Sequence, residues 1–282
     1  MKLLNLGCGQ RYHTEWTNID FVSSNDHVVA HNLLQGIPRA DNEFDVVYHS
    51  HVLEHFSKQD GKLFLEECYR VLKPGGIIRV AVPDLEQIVK NYLKSLEGAL
   101  ASDDASARNY EWMMLEMYDQ VVRNHSGGDM ADYLYRDEIR NEEFVYSRIG
   151  EEGRTIRERF LKSKNETQKD QPRSVPLLNR FFKPGTYVQK IKNIFLKKEL
   201  SELKKQKHFI EIGQFRSGGE VHQWMYDRYS LEKILRETGF ENIQVKTAFD
   251  SAIDNWKKYN LEEKDGIIFK PDSLFMEGQK PS

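Results

Sequence analysis

Short apolar runs alternate with helical-period stretches through the first ninety-odd residues. Leu3–Leu6, Thr17–Phe21 and His27–Ala30 read as short strands, and Phe44–Tyr48 and Ile77–Val82 as longer β-branched and aromatic ones. Between the last two, Leu63, Phe64, Cys68, Tyr69 and Leu72 fall near helical spacing, with Lys73-Pro74-Gly75-Gly76 as the stop. Asp84 stands as N-cap of a helix carrying Leu85, Ile88, Val89, Tyr92, Leu93 and Leu96 on one face. This alternation predicts an α/β fold, a parallel sheet with helices on its faces. From about Ala99 to Ser217 the rhythm is lost: Glu111–Val122 is helical in pattern, and prolines stand at 172, 176 and 184. It returns where Ser230 caps a helix with Leu231, Ile234 and Leu235, stopped by Gly239. Ile243–Val245 and Leu274–Met276 follow as final strands. The pattern thus splits one domain into 1–98 and 217–282, interrupted by a largely helical insertion over 99–216.

Composition narrows this further. The chain has 282 residues, 39% hydrophobic and 30% charged, enough for one large domain or a core with an insertion. No run approaches the roughly 18 apolar residues of a spanning helix. The opening MKLLNLGCGQ is too short and too polar for a signal-peptide core. Two cysteines, Cys8 and Cys68, exclude a disulfide framework and an all-cysteine zinc site. A soluble cytoplasmic protein is expected. The net charge of −3 hides an asymmetry: from Arg154 to Lys207 there are 16 Lys and Arg against five Asp and Glu, which leaves the remainder at −14. An acidic body with a basic segment implies two parts with different jobs.

The first strand ends in Gly7-Cys8-Gly9 and the second in Asp20. Glycines allow close approach of a ligand to the backbone beyond the strand ends, and a carboxylate there can accept from both ribose hydroxyls. A dinucleotide G-x-G-x-x-G turn would need glycine at position 12, where Tyr12 stands, so a nicotinamide-type oxidoreductase is disfavoured. The ordered set of Leu4-Asn5-Leu6-Gly7-Cys8-Gly9, Trp16-Thr17-Asn18-Ile19-Asp20, Phe44-Asp45-Val46-Val47-Tyr48, Ser50-His51-Val52-Leu53-Glu54-His55 and Val71-Leu72-Lys73-Pro74-Gly75-Gly76 resembles class I S-adenosylmethionine-dependent methyltransferases. Val80-Ala81-Val82-Pro83-Asp84 and Ser273-Leu274-Phe275-Met276-Glu277-Gly278 also fit. More narrowly, the chain resembles bacterial methyltransferases associated with cell-surface polysaccharide genes. The resemblance implies a Rossmann-like, seven-stranded, mostly parallel sheet, with S-adenosyl-L-methionine as cofactor. By position it assigns Asn5 and Gly7, Cys8, Gly9 and Gln10 to the methionine part, Asp20 to ribose, Asn32 and Leu33 to adenine, and His49 and Ser50 to the cofactor face. Asn5 and Asn32 stand where the family usually has acids. Only Gln10 to Trp16 separates the glycine loop from the second strand, too short for a crossover helix, so an open cleft with the insertion as its cover is expected.

His51, Glu54 and His55 fall at i, i+3 and i+4. They read as groups that shape the acceptor site, as a general base through His51 or His55, or as a metal site resembling the E-x-x-E-H box of metal-dependent O-methyltransferases. The expectation is no metal, with His51, His55 and His222 as the catalytic candidates. The resemblance puts His222 on the acceptor side, and the acceptor it implies is a small molecule or glycan, through a sugar hydroxyl. The basic insertion is a solvated surface, a binder of an anionic or lipid-linked acceptor, or, through Phe181, Phe182, Tyr187, Ile191, Ile194, Phe195 and Leu196, a contact with an anionic membrane. No nucleic-acid-recognition pattern is present. A non-catalytic protein that kept the nucleotide pocket is the other class left open.

Overall fold

The computed structural model describes residues 1–23, 25–167 and 203–282. Its seven-stranded sheet is built from β1 (Leu3–Leu6), β2 (Thr17–Asp20), β3 (Val28–Ala30), β4 (Phe44–Ser50), β5 (Leu72–Pro83), β6 (Glu241–Lys246) and β9 (Ser273–Gln279). The order is β3-β2-β1-β4-β5-β9-β6, and β9 alone runs antiparallel to its neighbours. A small hairpin, β7 (Glu263–Lys264) with β8 (Ile267–Ile268), stands apart. The helices are α1 (Lys58–Val71), α2 (Leu85–Leu100), α3 (Asp104–Val122), α4 (Gly128–Leu134), α5 (Glu142–Thr167), α6 through 203–216, and α7 (Arg228–Thr238).

Both sheet faces are buried, for different reasons. On one, Leu4, Leu6, Val47, Ile78 and Val80 meet Phe64, Leu65 and Cys68 of α1 and Leu231 and Leu235 of α7. On the other, Leu3, Val46 and Tyr48 lie under Trp16, Trp256, Tyr259 and Leu261. Trp16 packs edge-on to Tyr259 with centroids 5.1 Å apart and to Trp256 at 6.3 Å. This aromatic cluster, on the 3-10 turn Trp256–Tyr259, takes the place of the crossover helix that the β1–β2 link is too short to form.

Asp84 does cap α2, accepting from Glu86 N at 3.0 Å and Gln87 N at 3.2 Å. The expected apolar face of α2 is a partial correction: Ile88 is buried, but Val89 and Leu93 are exposed. Ile88 joins a separate cluster with Trp112, Met113, Met130, Tyr133, Leu134, Val145 and Tyr146, so the segment after the sheet has a core of its own resting on α2. The boundary expected at residue 98 falls inside α2. The α7 cap is Asp227, with Ser230 closing the capping box from the third helical position, because both side chains find a backbone N–H there. Of the basic stretch, residues 154–167 lie in α5 and Lys204, Lys205 and Lys207 in α6. The apolar positions read as a membrane contact, from Phe181 to Leu196, lie outside the described residues. Among the described residues no helix is long and apolar enough to cross a membrane.

Candidate active site

Gly7 leaves β1 at φ +63°, and its N–H donates to Ile19 O at 2.8 Å, which ties the loop to β2. Gly9, at φ +53°, donates to Asp20 Oδ2 at 2.7 Å. Asp20 therefore anchors the loop while its carboxylate keeps further acceptor positions. Below the loop, Asn5 is buried, its amide donating to Arg11 O and to Asn18 Oδ1.

A cavity of about 460 Å³ opens at this loop. Asn5, Gly7, Cys8, Gly9, Gln10 and Ser50, six of the residues the resemblance assigned to the cofactor, line it. Burial pushes the Cys8 thiol up to about 12, so it stays protonated. Asp20 holds the loop without lining the cavity, and three more expected residues stand elsewhere. Asn32 turns its amide oxygen to Leu34 N at 3.0 Å and caps the 3-10 turn Leu33–Gln35, and Leu33 packs at the edge of the main core. The third, His49, does not line the cavity. Its ring points to the opposite face of β4, fully buried and edge-on to Phe64 at 5.0 Å, where burial lowers its pKa to about 4. Strand alternation is the cause: Tyr48 and Ser50 share the cavity face, so His49 must face α1.

A second cavity of about 380 Å³ adjoins the first. His51, Glu152, Ile156 and Lys270 line both. Glu152 pairs with Lys270 at 3.5 Å, and that cation holds its carboxyl below the ordinary range. His51 sits in the left-handed region at φ +53°, its Nε2 hydrogen-bonded to Ser273 Oγ at 2.7 Å and its Nδ1 3.3 Å from Glu54 Oε1. Non-glycine residues in that region cost energy and cluster at functional sites.

His55 and His222 both line the second cavity, their rings edge-to-face at 4.8 Å. His222 arrives on the segment that leads to α7. His222 N donates to Gln120 O, while Gln223 N and Trp224 N donate to Glu54 O at 2.8 and 3.2 Å. Gln223 Nε2 donates to His55 O at 3.1 Å. Burial pushes the His222 imidazole down to about 3 and lowers that of His55. Burial also opposes ionisation of Glu54, but the neighbouring imidazoles of His51, His222 and His55 outweigh it and hold the carboxyl below its ordinary range.

The sequence pointed to the insertion as the cover but to none of its residues that line the cavity. Glu151, Glu152, Thr155, Ile156 and Arg159 of α5 close over the first cavity, together with Phe269 and Lys270. α5 reaches that position through Gly150, at φ +62° and ψ −143°, where a Cβ would stand 2.4 Å from Phe269 O. A lone glycine in a stretch without clear periodicity gave no signal of this bend.

Residues 4–80 match the family model of the methyltransferase domain. A curated protein of Mycolicibacterium smegmatis, named as a probable S-adenosylmethionine-dependent methyltransferase, is 39% identical over 56 residues. That match covers 20% of this chain, and the chain spans about a fifth of the length of that relative. Among solved structures, a SAM-dependent methyltransferase from Thermotoga maritima overlaps 99% of this chain and 82% of its own at 12% identity, with a TM-score of 0.37. Another from Archaeoglobus fulgidus overlaps 99% and 86% at 12% identity, with a TM-score of 0.35.

Proposed function

We propose that this protein, whose N-terminal third carries the methyltransferase domain, transfers a methyl group from S-adenosylmethionine to an oxygen of an acceptor seated in the second cavity. The observation that carries this reading is the shared wall: one cavity opens at the glycine loop, the other lies beside the histidines, and both are bounded by His51, Glu152, Ile156 and Lys270. The residues fit the cofactor. Gly9 faces open space, with nothing within 4 Å of where a Cβ would stand, and Asn5, Gln10 and Ser50 supply polar atoms around it. Asp20 would hold ribose, and the Asn32–Leu33 turn would flank adenine.

When bound, S-adenosylmethionine supplies an activated methyl group. The protein's part is to hold the acceptor oxygen in line with it and to exclude water under α5, which makes the insertion a lid. His51 is placed to accept a proton from an acceptor hydroxyl. Glu54 beside Nδ1 favours the tautomer with Nε2 as acceptor, and Ser273 Oγ occupies the position such a hydroxyl would take. The acceptor this reading favours is a sugar hydroxyl of a glycan or its precursor, methylated in the cytoplasm; Lys270 and Arg123 line the second cavity, each paired with a carboxylate, Glu152 and Asp119.

Calorimetry with S-adenosylhomocysteine tests the cofactor half. Asp20→Ala should weaken binding about tenfold to a hundredfold, the loss of charge-assisted hydrogen bonds worth roughly 1.5–3 kcal/mol. Absence of binding by the unmodified protein would overturn the methyltransferase reading. Turnover against a panel of sugar nucleotides and lipid-linked sugars tests the acceptor half, and cofactor binding without turnover on any acceptor favours a non-catalytic protein.

A further inference from the structure

We propose that Glu54, His55 and His222 form a binding site for one divalent transition-metal ion on the wall of the second cavity. Each offers one ligand atom, and the three atoms lie within 4.8 Å of one another. In a tetrahedral site with bonds of about 2.0–2.1 Å, neighbouring donors stand roughly 3.3 Å apart, so binding asks for small side-chain shifts only.

Glu54 points to a cation independently. Its carboxylate is fully buried, and neither oxygen has a hydrogen-bond partner. His51 Nδ1 approaches one of them at 3.3 Å without hydrogen-bond alignment. His55 Nδ1 is also buried without a partner. A metal-ligating histidine needs one such free ring nitrogen.

The backbone holds the donors in place. The 3-10 turn Leu53–His55 sets two of them side by side, and the hydrogen bonds from Gln223 and Trp224 to Glu54 O bring His222 against them. Two imidazoles and one carboxylate suit Zn²⁺, Fe²⁺, Co²⁺ or Mn²⁺ better than the all-oxygen ions Ca²⁺ and Mg²⁺. Three protein donors leave a coordination position open toward the cavity, as sites that bind substrate do. An acceptor hydroxyl could occupy it, and that role, unlike the site itself, rests on the methyltransferase reading. The other His/Asp cluster among the described residues, His125, Asp129 and Asp132, is wholly exposed and has no such buried, unpartnered group.

The test is titration of the chelator-treated full chain with Co²⁺, read by its visible absorption, and with Zn²⁺ in competition. One ion per chain is expected. Glu54→Gln, His55→Ala and His222→Ala should each lower affinity at least about a hundredfold, beyond the loss typical of second-layer groups. S-adenosylhomocysteine binding, measured in parallel, should persist in all three, which also reports that they fold. Failure of the unmodified protein to take up Co²⁺, Zn²⁺ or Mn²⁺, or uptake undiminished in the variants, would overturn the site. Ion uptake without S-adenosylhomocysteine binding would instead remove the methyltransferase reading and leave the metal site standing.

Discussion

Arg79→Met should lower the stability of the protein by about 3–5 kcal/mol, read as the shift of its urea midpoint. Arg79 sits on β5, fully buried, and all its donors are engaged. Nε donates to Glu262 at 3.0 Å, Nη1 to Glu277 Oε1 at 2.6 Å and to Asp250 O, and Nη2 to Thr247 O at 2.7 Å and to Glu262. Its guanidinium also lies 4.5 Å from the Trp256 ring centre. Methionine would fill much of the volume but leave two buried carboxylates facing each other. One cation between two carboxylates already leaves excess negative charge. Burial, with Glu277 beside it, raises Glu262 to about 7 against the pull of Arg79. The folded protein thus holds this proton to higher pH than the unfolded chain does, whose carboxyl titrates near its ordinary value of 4.5. Glu262's contribution is fully present below about pH 4.5 and is lost as pH rises through about 7. Between about pH 5 and pH 8 the unmodified protein should lose on the order of 1–3 kcal/mol from this group, Glu262→Gln should flatten that slope, and Arg79→Met should steepen it. A midpoint for Arg79→Met equal to that of the unmodified protein would show that the triad carries no such load.

Local chemistry made much of this fold legible. The β-branched runs that became β4 and β5, the Asp84 cap and the Gly239 stop are all decided within a few residues and stand where the pattern put them, although β5 already starts at Leu72 and takes in the Lys73–Gly76 stop. The glycine loop was legible for the same reason, since Gly7 and Gly9 are required by their own φ angles. What depends on pairing was not. Arg79 reads as an odd charge in an apolar strand until the register sets it opposite Glu277 on β9, almost two hundred residues later. His49 and Ser50 are neighbours in sequence, yet the pleat sends one into the core and the other to the cavity. The spacing of His51, Glu54 and His55 suggested a common face, and His51 does lie 3.3 Å from Glu54, but the histidine whose ring joins Glu54 and His55 in one cluster of possible ligands is His222. No local signal could place a residue arriving from the far side of the insertion.

The glycine loop supplies a paired prediction in which the same substitution has two different consequences. An alanine Cβ at Gly7 would stand 2.3 Å from Val52 Cγ2 and 3.4 Å from its Cβ. Val52 is buried and β-branched, so it has little rotamer freedom to yield, and it follows His51, itself held at positive φ. Left-handed strain of about 1–3 kcal/mol and overpacking of about 1–3 kcal/mol therefore add at Gly7, for a loss of about 2–6 kcal/mol together with displacement of His51. At Gly9 the Cβ would meet nothing within 4 Å, so Gly9→Ala carries the strain term alone, about 1–3 kcal/mol. That open space is the proposed seat of the cofactor, however, and a methyl group there would stand where the ligand must approach the backbone. Gly9→Ala should thus lose S-adenosylhomocysteine affinity out of proportion to its modest change in thermal midpoint, whereas Gly7→Ala should lose stability first. Calorimetry and thermal melts on the pair separate the two. Full ligand affinity in Gly9→Ala would move the cofactor away from this loop, and a Gly7→Ala protein as stable as Gly9→Ala would show that Val52 yields without cost.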